Sequence, residues 1–153
     1  MSAFTDIAIT WNPLLGRGDW SMTNGDLSTG SPLETAVLVS LFTDQIAAPD
    51  FVLTDGTTDR RGWWADAFET SPIGSRFWQL DRAKKANAQT LLLEARDIGQ
   101  QALQWLLDDG VAATVDVAAW WYTPSSLGIR VKITEPDGTT SNFSYAGAWQ
   151  GVF

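Results

Sequence analysis

Apolar and polar side chains alternate at the beginning of the chain with the period of two that is typical of a β-strand. The alternation covers residues 6–11 and places Ile7, Ile9 and Trp11 on one face. Asn12-Pro13 is expected to end this strand, because proline cannot donate to a ladder. The sequence therefore predicts an N-terminal strand with one buried face.

A tight hairpin is predicted around Asn24-Gly25. Both residues adopt positive φ at low cost, and the segments 20–23 and 26–29 flank them. Gly16-Arg17-Gly18-Asp19 is also predicted to be a turn. It does not resemble a phosphate-binding loop, because no helix follows it directly.

The apolar spacing changes to three and four residues after Ser31. Ser31-Pro32-Leu33-Glu34 combines a cap, a first-turn proline and a capping box, which predicts a helix from Pro32 to Ile46. Residues 74–80 are expected to begin a short helix. A long amphipathic helix is predicted from Ala88 to Asp108, with Gly110 as its C-terminal stop.

Alternation returns in the last third of the chain. Residues 111–121 and 127–134 each place an apolar residue at every second position, which predicts two long half-buried strands. Pro136-Asp137-Gly138 is typical of a turn, and 142–149 is expected to form a third strand. The predicted fold is α+β, a single domain over residues 1–153. It has an N-terminal strand and hairpin, central helices and a C-terminal antiparallel β-meander.

The composition excludes much familiar chemistry. The 153 residues contain no Cys and no His, but nine Trp. Without Cys there are no disulfides, iron–sulfur clusters or thiolate zinc sites. Without His there is no Ser-His-Asp triad and no ordinary near-neutral general base. Carboxylates, Lys, Tyr, Ser and Thr are the only candidates for catalysis.

The charge is negative and unevenly distributed. Ten basic and eighteen acidic residues give a net charge of −8, which argues against nucleic acid as the main partner. Residues 1–59 and 97–153 are acidic, whereas 60–96 carry a net charge of +3. This basic middle is typical of internal neutralisation, of solvated helix faces or of docking to an acidic protein. No targeting signal or membrane-spanning apolar run is visible, so synthesis in a cytoplasm is expected.

The segment 47–74 has no clear period, and long irregular segments in small domains are often functional. It contains Arg60-Arg61-Gly62-Trp63-Trp64-Ala65-Asp66. Adjacent residues of an extended segment point to opposite sides, so one of Trp63 and Trp64 is expected to enter the core while the other faces outward. Trp and Arg dominate interface hot spots, which favours a protein contact over a sugar platform or simple core filling.

Carboxylates are the only plausible acid–base groups. Asp59, Asp66, Glu69 and Asp81 lie in or near the basic middle, but eighteen acidic residues on a small protein form chance pairs. No calcium-loop spacing occurs. A terminal antiparallel strand also offers an unpaired edge, to which a partner strand can add.

Several motifs follow one another in a fixed order: Asp19-Trp20, Asn24-Gly25-Asp26-Leu27, Leu33-Glu34-Thr35-Ala36-Val37, Leu41-Phe42-Thr43-Asp44, Arg61-Gly62-Trp63-Trp64-Ala65-Asp66, Gly74-Ser75-Arg76-Phe77-Trp78 and Asp108-Asp109-Gly110-Val111-Ala112. Together they resemble the Mu-type baseplate wedge family, small tail proteins of contractile bacteriophages. The resemblance runs from Asp6 to Val152. Its most specific part is Arg-Gly-Trp-Trp followed by Gly-Ser-Arg, although Ala65 stands where the family is expected to have Gly.

The resemblance implies a structural protein of the virion tail baseplate, not an enzyme, with no cofactor. Its fold would be related to the short wedge protein of larger contractile tails and type VI secretion systems. The implied partners are larger wedge subunits, the tail sheath protein, and central spike or tube proteins, with several copies in a symmetric assembly. The helix 88–108 would lie in a bundle or core, and the meander 111–149 would meet sheath or wedge strands and initiate the sheath.

The candidate protein-interface residues are Arg60, Arg61, Trp63, Trp64, Asp66, Arg76, Trp78, Trp120 and Trp149. An ion pair such as Arg76 with Asp66 is expected to lock the irregular segment 47–74, which we call the middle loop. The wider family has carried a lysozyme-like label, so the alternative is a peptidoglycan hydrolase of the tail. Its candidate carboxylates would be Glu69 and Asp66.

Overall fold

The structure is a computed structural model that describes residues 5–53, 56–68, 70–80 and 88–150. The N-terminal part consists of short antiparallel strand pairs. These are β1 (Asp6–Ile7) with β6 (Thr29–Gly30), β2 (Ile9–Asn12) with β3 (Arg17–Trp20), and β4 (Met22–Thr23) with β5 (Asp26–Leu27).

The hairpin prediction at Asn24-Gly25 is confirmed, since the two residues have φ of 53° and 88° between β4 and β5. The turn predicted at residues 16–19 is wrong, because Arg17–Trp20 pairs with β2. The chain reverses just before it. The Asn12 side-chain oxygen there accepts the N–H groups of Leu14 and Leu15 at 3.0 and 3.1 Å. All four residues of β3 are exposed, so no apolar alternation marks the strand.

Helix α1 (Pro32–Phe42) begins as predicted, with the Ser31 side chain accepting the Glu34 N–H at 3.4 Å. It ends four residues before the predicted Ile46. Thr43 is extended, at φ −87° and ψ 132°, and Asp44 forms a parallel bridge with Ser75. Ser75 thus binds the Thr43 carbonyl and the Gln45 N–H, the backbone groups that another helical turn would need.

Three more α-helices follow within the described ranges: α2 (Phe77–Leu80), α3 (Ala88–Ala102) and α4 (Gln104–Asp108). The short helix is confirmed, but the continuous helix predicted over 88–108 is broken at Leu103. The Leu106 N–H bonds back to the Leu103 carbonyl at 3.1 Å, a tight three-residue turn. Leu103, at the break, and Leu106, after it, are both fully buried.

The C-terminal meander is confirmed as an antiparallel sheet in the order β7 (Thr114–Thr123), β8 (Ser126–Thr134), β9 (Thr140–Gln150). Leu127, Ile129, Val131 and Ile133 of central β8 are buried and pack with α1 and α3 in one core. The opposite face exposes Arg130 and Lys132. The α+β class predicted from the sequence is therefore correct.

Candidate protein-interaction surface

The Arg60 side chain binds backbone carbonyls in the first half of the middle loop. Its guanidinium donates to the Ala48 carbonyl and, at 3.1 Å, to the Phe51 carbonyl. Its own carbonyl accepts the Ala47 N–H at 2.9 Å. Two carbonyls on one planar fork fix the path of 47–51, so Arg60 acts within the chain.

Arg61 is held by three neighbours. Its guanidinium lies 3.2 Å from Asp44 and 3.5 Å from Asp59, and 5.9 Å from the centre of the Trp78 ring. The Trp78 indole N–H in turn donates to the Gln45 carbonyl at 2.8 Å, and its side chain is buried. The predicted Arg–Trp cluster exists, but much of it is intramolecular.

Trp63 and Trp64 do not point to opposite sides, so that prediction is wrong. Arg61 and Gly62 both have positive φ, and a 3-10 helix covers Trp64–Phe68. The chain is therefore not extended here. The two indole rings lie 5.7 Å apart and tilted by 55° on the surface.

Phe68 joins this exposed pair. Trp63 is 38% exposed, Trp64 77% and Phe68 81%. We call these three residues the aromatic turn. The sequence pattern did not single out Phe68, because a lone apolar residue in an irregular segment carries no period. Such an exposed set of large aromatic side chains is typical of a contact surface.

The Asp66 side chain binds backbone N–H groups at the start of the aromatic turn and beyond its end. Its carboxylate accepts the Trp63 N–H at 3.3 Å and the Ile73 N–H at 3.0 Å. Arg76 instead donates to the Gln101 side chain of α3 at 2.6 Å. The loop is thus fastened by carboxylate-to-amide bonds, and Arg76 ties its far end to a helix.

Trp120 and Trp149 lie at separate places. Trp120 packs across Gly128 on the outer face of the sheet, with the Arg130 guanidinium 5.3 Å from its ring centre. Trp149 is buried and lines a cleft of about 390 Å³ that Arg61 and Trp78 also line. Six of the nine predicted residues therefore surround the middle loop, at Arg60, Arg61, Trp63, Trp64, Asp66 and Trp78.

Both edges of the sheet carry a side-chain cap. On β7, the Gln100 amide donates to the Val115 carbonyl at 2.7 Å and accepts the Val117 N–H at 3.3 Å. On β9, the Trp11 indole donates to the Ala146 carbonyl at 2.8 Å, beside an irregularity in the β8–β9 register. Each cap occupies backbone groups that an added strand would use.

The described residues give little material for catalysis. They contain no group of three or more His, Cys, Asp or Glu side chains that could hold a metal ion. Asp66 has both oxygens engaged with backbone amides, whereas Glu69 and Asp81 lie outside the described residues. Among the helices of the described ranges, none is long and apolar enough to cross a membrane.

Known proteins resemble the chain along nearly all of its length. A family described as phage protein GP46 matches residues 33–140, a range that contains the middle loop and all of α3, α4 and β7. A protein of Escherichia phage Mu, named baseplate protein gp46, is 40% identical over 148 residues. That alignment covers 97% of this chain and 99% of the relative. The Mu-like prophage FluMu protein gp46 of Haemophilus influenzae is 35% identical over 146 residues, with 95% and 98% coverage.

Proposed function

The chain belongs to the phage protein GP46 family, and on that premise we propose that it is a structural component of a contractile tail baseplate. It joins larger wedge subunits around the tail tube and offers strand edges that initiate the sheath. It acts as one domain over residues 1–153, in several copies of a symmetric assembly, after synthesis in the host cytoplasm. The role requires neither catalysis nor a cofactor.

The aromatic turn is the observation that carries this proposal. Trp64 and Phe68 expose most of their surface, yet the loop beneath them is fastened by Asp66 and Arg61. A backbone that is already fastened beneath exposed aromatic side chains needs less ordering on binding, and exposed aromatic side chains are typical of an interface hot spot. Burial of the two side chains in a contact contributes about 2–3 kcal/mol each from the hydrophobic effect.

The sheet edges support the sheath part of the proposal. The caps cover Val115 and Val117 on β7 and Ala146 on β9. The stretch 140–145 of β9 precedes the Ala146 cap, and it contains neither a charged residue nor a proline. Natural edge strands usually carry such protecting residues, so this stretch suits pairing with a partner strand.

The test is a double variant, Trp64→Ala with Phe68→Ala, introduced into the genome that encodes this chain. Both side chains are exposed, so the purified variant should keep its melting temperature while tails lack complete baseplates in electron micrographs. The matched control is Trp20→Ala with Met22→Ala, which also removes two exposed apolar side chains (65% and 67%). Normal assembly by the first variant, or equal failure of both, would overturn the assignment of the contact to the aromatic turn.

A cell-wall assay tests the absence of catalysis. Purified wild-type protein is expected to leave peptidoglycan intact. If it instead clears the substrate, and Glu69→Gln abolishes clearing, the protein is a hydrolase and the non-enzymatic part of the proposal is wrong.

A further inference from the structure

The outer face of the C-terminal sheet carries one aromatic and two basic side chains close together. They are Trp120 of β7 and Arg130 and Lys132 of β8, which we call the cationic face. Arg130 and Lys132 are exposed, and Trp120 is half-buried. We propose that this face binds an extended acidic segment of another baseplate subunit. The inference concerns the face of the sheet and not its edges, and it rests on the proposed function, because that function supplies the assembly.

Trp120 supports the guanidinium of Arg130. Gly128 lies opposite Trp120 in the β7–β8 register, and a Cβ atom there would come within 2.3 Å of the indole ring, so the ring lies directly over β8. The Arg130 guanidinium is 5.3 Å from the centre of that ring. A cation–π contact uses none of the guanidinium N–H groups, so they remain available to a carboxylate. Less ordering of the arginine is then needed when an acidic group binds.

The described part of the chain provides no partner for the two charges. Among the described residues, neither Arg130 nor Lys132 forms an ion pair or a side-chain hydrogen bond. Four other arginine side chains, in contrast, bind oxygen atoms of the chain: Arg60, Arg61, Arg76 and Arg96. Those arginines serve the fold, whereas the cationic face is available to a carboxylate from another molecule.

The charge of the face is opposite to that of the chain. Arg130 and Lys132 are the only basic residues of the sequence 97–153, which has six acidic ones, yet both lie on one face of one strand. Asp116 is opposite Lys132 in the register, so basic side chains outnumber acidic ones here although the net charge of the chain is −8. Charge complementarity therefore selects an acidic partner at this face.

The spacing of the two charges favours an extended partner segment. Residues two apart on a strand are separated by about 7 Å, and an extended segment repeats its side chains on one side at the same distance. On a helix, neighbouring side chains of one face are only about 5–6 Å apart. The Arg130 guanidinium turns towards Trp120, away from Lys132, which widens the gap further. Asp or Glu at two alternate positions of an extended segment meets both cations.

A sugar is the competing ligand for an aromatic side chain on a sheet face. Stacking of a sugar requires an open indole face. The Trp120 ring already lies over Gly128 on one side and has the Arg130 guanidinium beside it. The cationic face therefore favours a carboxylate over a sugar.

The test uses a photo-crosslinking diazirine amino acid at residue 118 in purified tails. Ala118 is exposed and lies opposite Arg130 in the register. Position 93 is the control, because Leu93 is exposed on α3, which packs on the other side of the sheet. Residue 118 should crosslink to one segment of another subunit that has Asp or Glu at two alternate positions. Residue 93 should not reach that segment.

Removal of the charges completes the experiment. Arg130→Gln with Lys132→Gln should lower the crosslinking yield from residue 118 about tenfold, because two ion pairs are lost at a contact between subunits. Both side chains are exposed, so the melting temperature of the purified variant should not change. Arg17→Gln is the matched control and should leave the yield unchanged. Arg17 is exposed on β3 and, within the described ranges, also forms no ion pair.

The outcomes separate this proposal from the proposed function. Tails that contain the chain but give no crosslink from residue 118 would overturn the proposal for the cationic face alone. The same holds for a crosslink to a second copy, to a sugar or to a segment without acidic residues, and for an unchanged yield in the double variant. Tails that lack the chain altogether would overturn the proposed function and this proposal with it.

Discussion

The side chain of Gln100 on α3 is bound to the backbone of Val115 at the edge of β7, with the amide nitrogen 2.7 Å from the carbonyl oxygen. The same amide accepts the N–H of Val117 at 3.3 Å. The side chain thus takes the place of one rung of a neighbouring strand. It also fixes the position of α3 along the sheet.

Replacing Gln100 with Met should remove this rung while keeping the volume of the side chain. We expect a loss of about 1–2 kcal/mol in the free energy of unfolding, since two backbone groups lose their partner. Chemical denaturation measures the loss, and amide hydrogen exchange should be faster at Val117. Gln104→Met, on the exposed side of α4, is the control and should change stability by less than about 0.5 kcal/mol. Unchanged exchange at Val117 would contradict the assigned role of Gln100.

Much of the fold is readable from local pattern, because its elements obey local rules. The Ser31 cap and the Asn24-Gly25 turn depend on neighbours in sequence, and the meander 114–150 shows clear alternation. The break at Leu103 left no such signal. It has neither proline nor glycine. The burial of Leu103 and Leu106 does not mark it either, because residues three apart share one face of an unbroken helix.

The sequence indicated which residues form the candidate surface, but not how their side chains are arranged. The density of Arg and Trp in 60–66 indicated a special segment, and the structure does place those residues together. Which of them are exposed depends on the positive φ of Arg61 and Gly62, which turns the chain before Trp63. Arg61 forms its ion pairs with Asp44 and Asp59 from this conformation, and no local rule predicts a positive φ for a non-glycine residue here.

Gly74 holds the end of the middle loop against α1. It has φ of +111°, and a Cβ atom there would collide with the Thr43 carbonyl. Gly74→Ala should therefore cost about 3 kcal/mol or more, from backbone strain together with the clash. Gly110→Ala is a matched control, because Gly110 has φ of +72° but open space around it, and should cost only about 1 kcal/mol. Denaturant unfolding of both variants measures the difference, and equal losses would show that the contact with Thr43 is unimportant.

Tyr145 should make stability depend on pH in alkaline solution. Its side chain is 1% exposed, and its hydroxyl has no hydrogen-bond partner among the described residues. Burial, assisted by the negative charge of Glu34, raises the pKa of this phenol above its ordinary value of 10.0. Above pH 10 the unfolded chain therefore releases a proton that the folded chain retains. The free energy of unfolding should then fall by about 1.4 kcal/mol per pH unit from this group.

Tyr145→Phe isolates that effect. The variant should be as stable as the wild type at pH 7 or up to about 1 kcal/mol more stable, because an unpartnered hydroxyl is removed from the core. Above pH 10, its free energy of unfolding should lack the part of the decline that Tyr145 causes in the wild type. Tyr122→Phe, at an exposed position, should leave the wild-type slope in place. Thermal unfolding between pH 7 and 11 compares the three proteins, and identical slopes in all of them would contradict the burial argument.

Ser144 allows a direct test of strand pairing by β9. Successive residues of a strand turn their backbone groups to opposite sides. Ser144, two residues before Ala146, therefore faces outward with it, whereas Phe143 faces β8. Ser144→Pro removes an outward N–H and should leave the fold intact, because edge strands tolerate proline on the solvent side. Phe143→Pro should unfold the sheet. With Ser144→Pro we expect tails that keep their baseplates and tubes but lack sheath in electron micrographs, whereas Ser144→Thr assembles normally. Sheathed tails in the folded proline variant would show that this edge does not initiate the sheath.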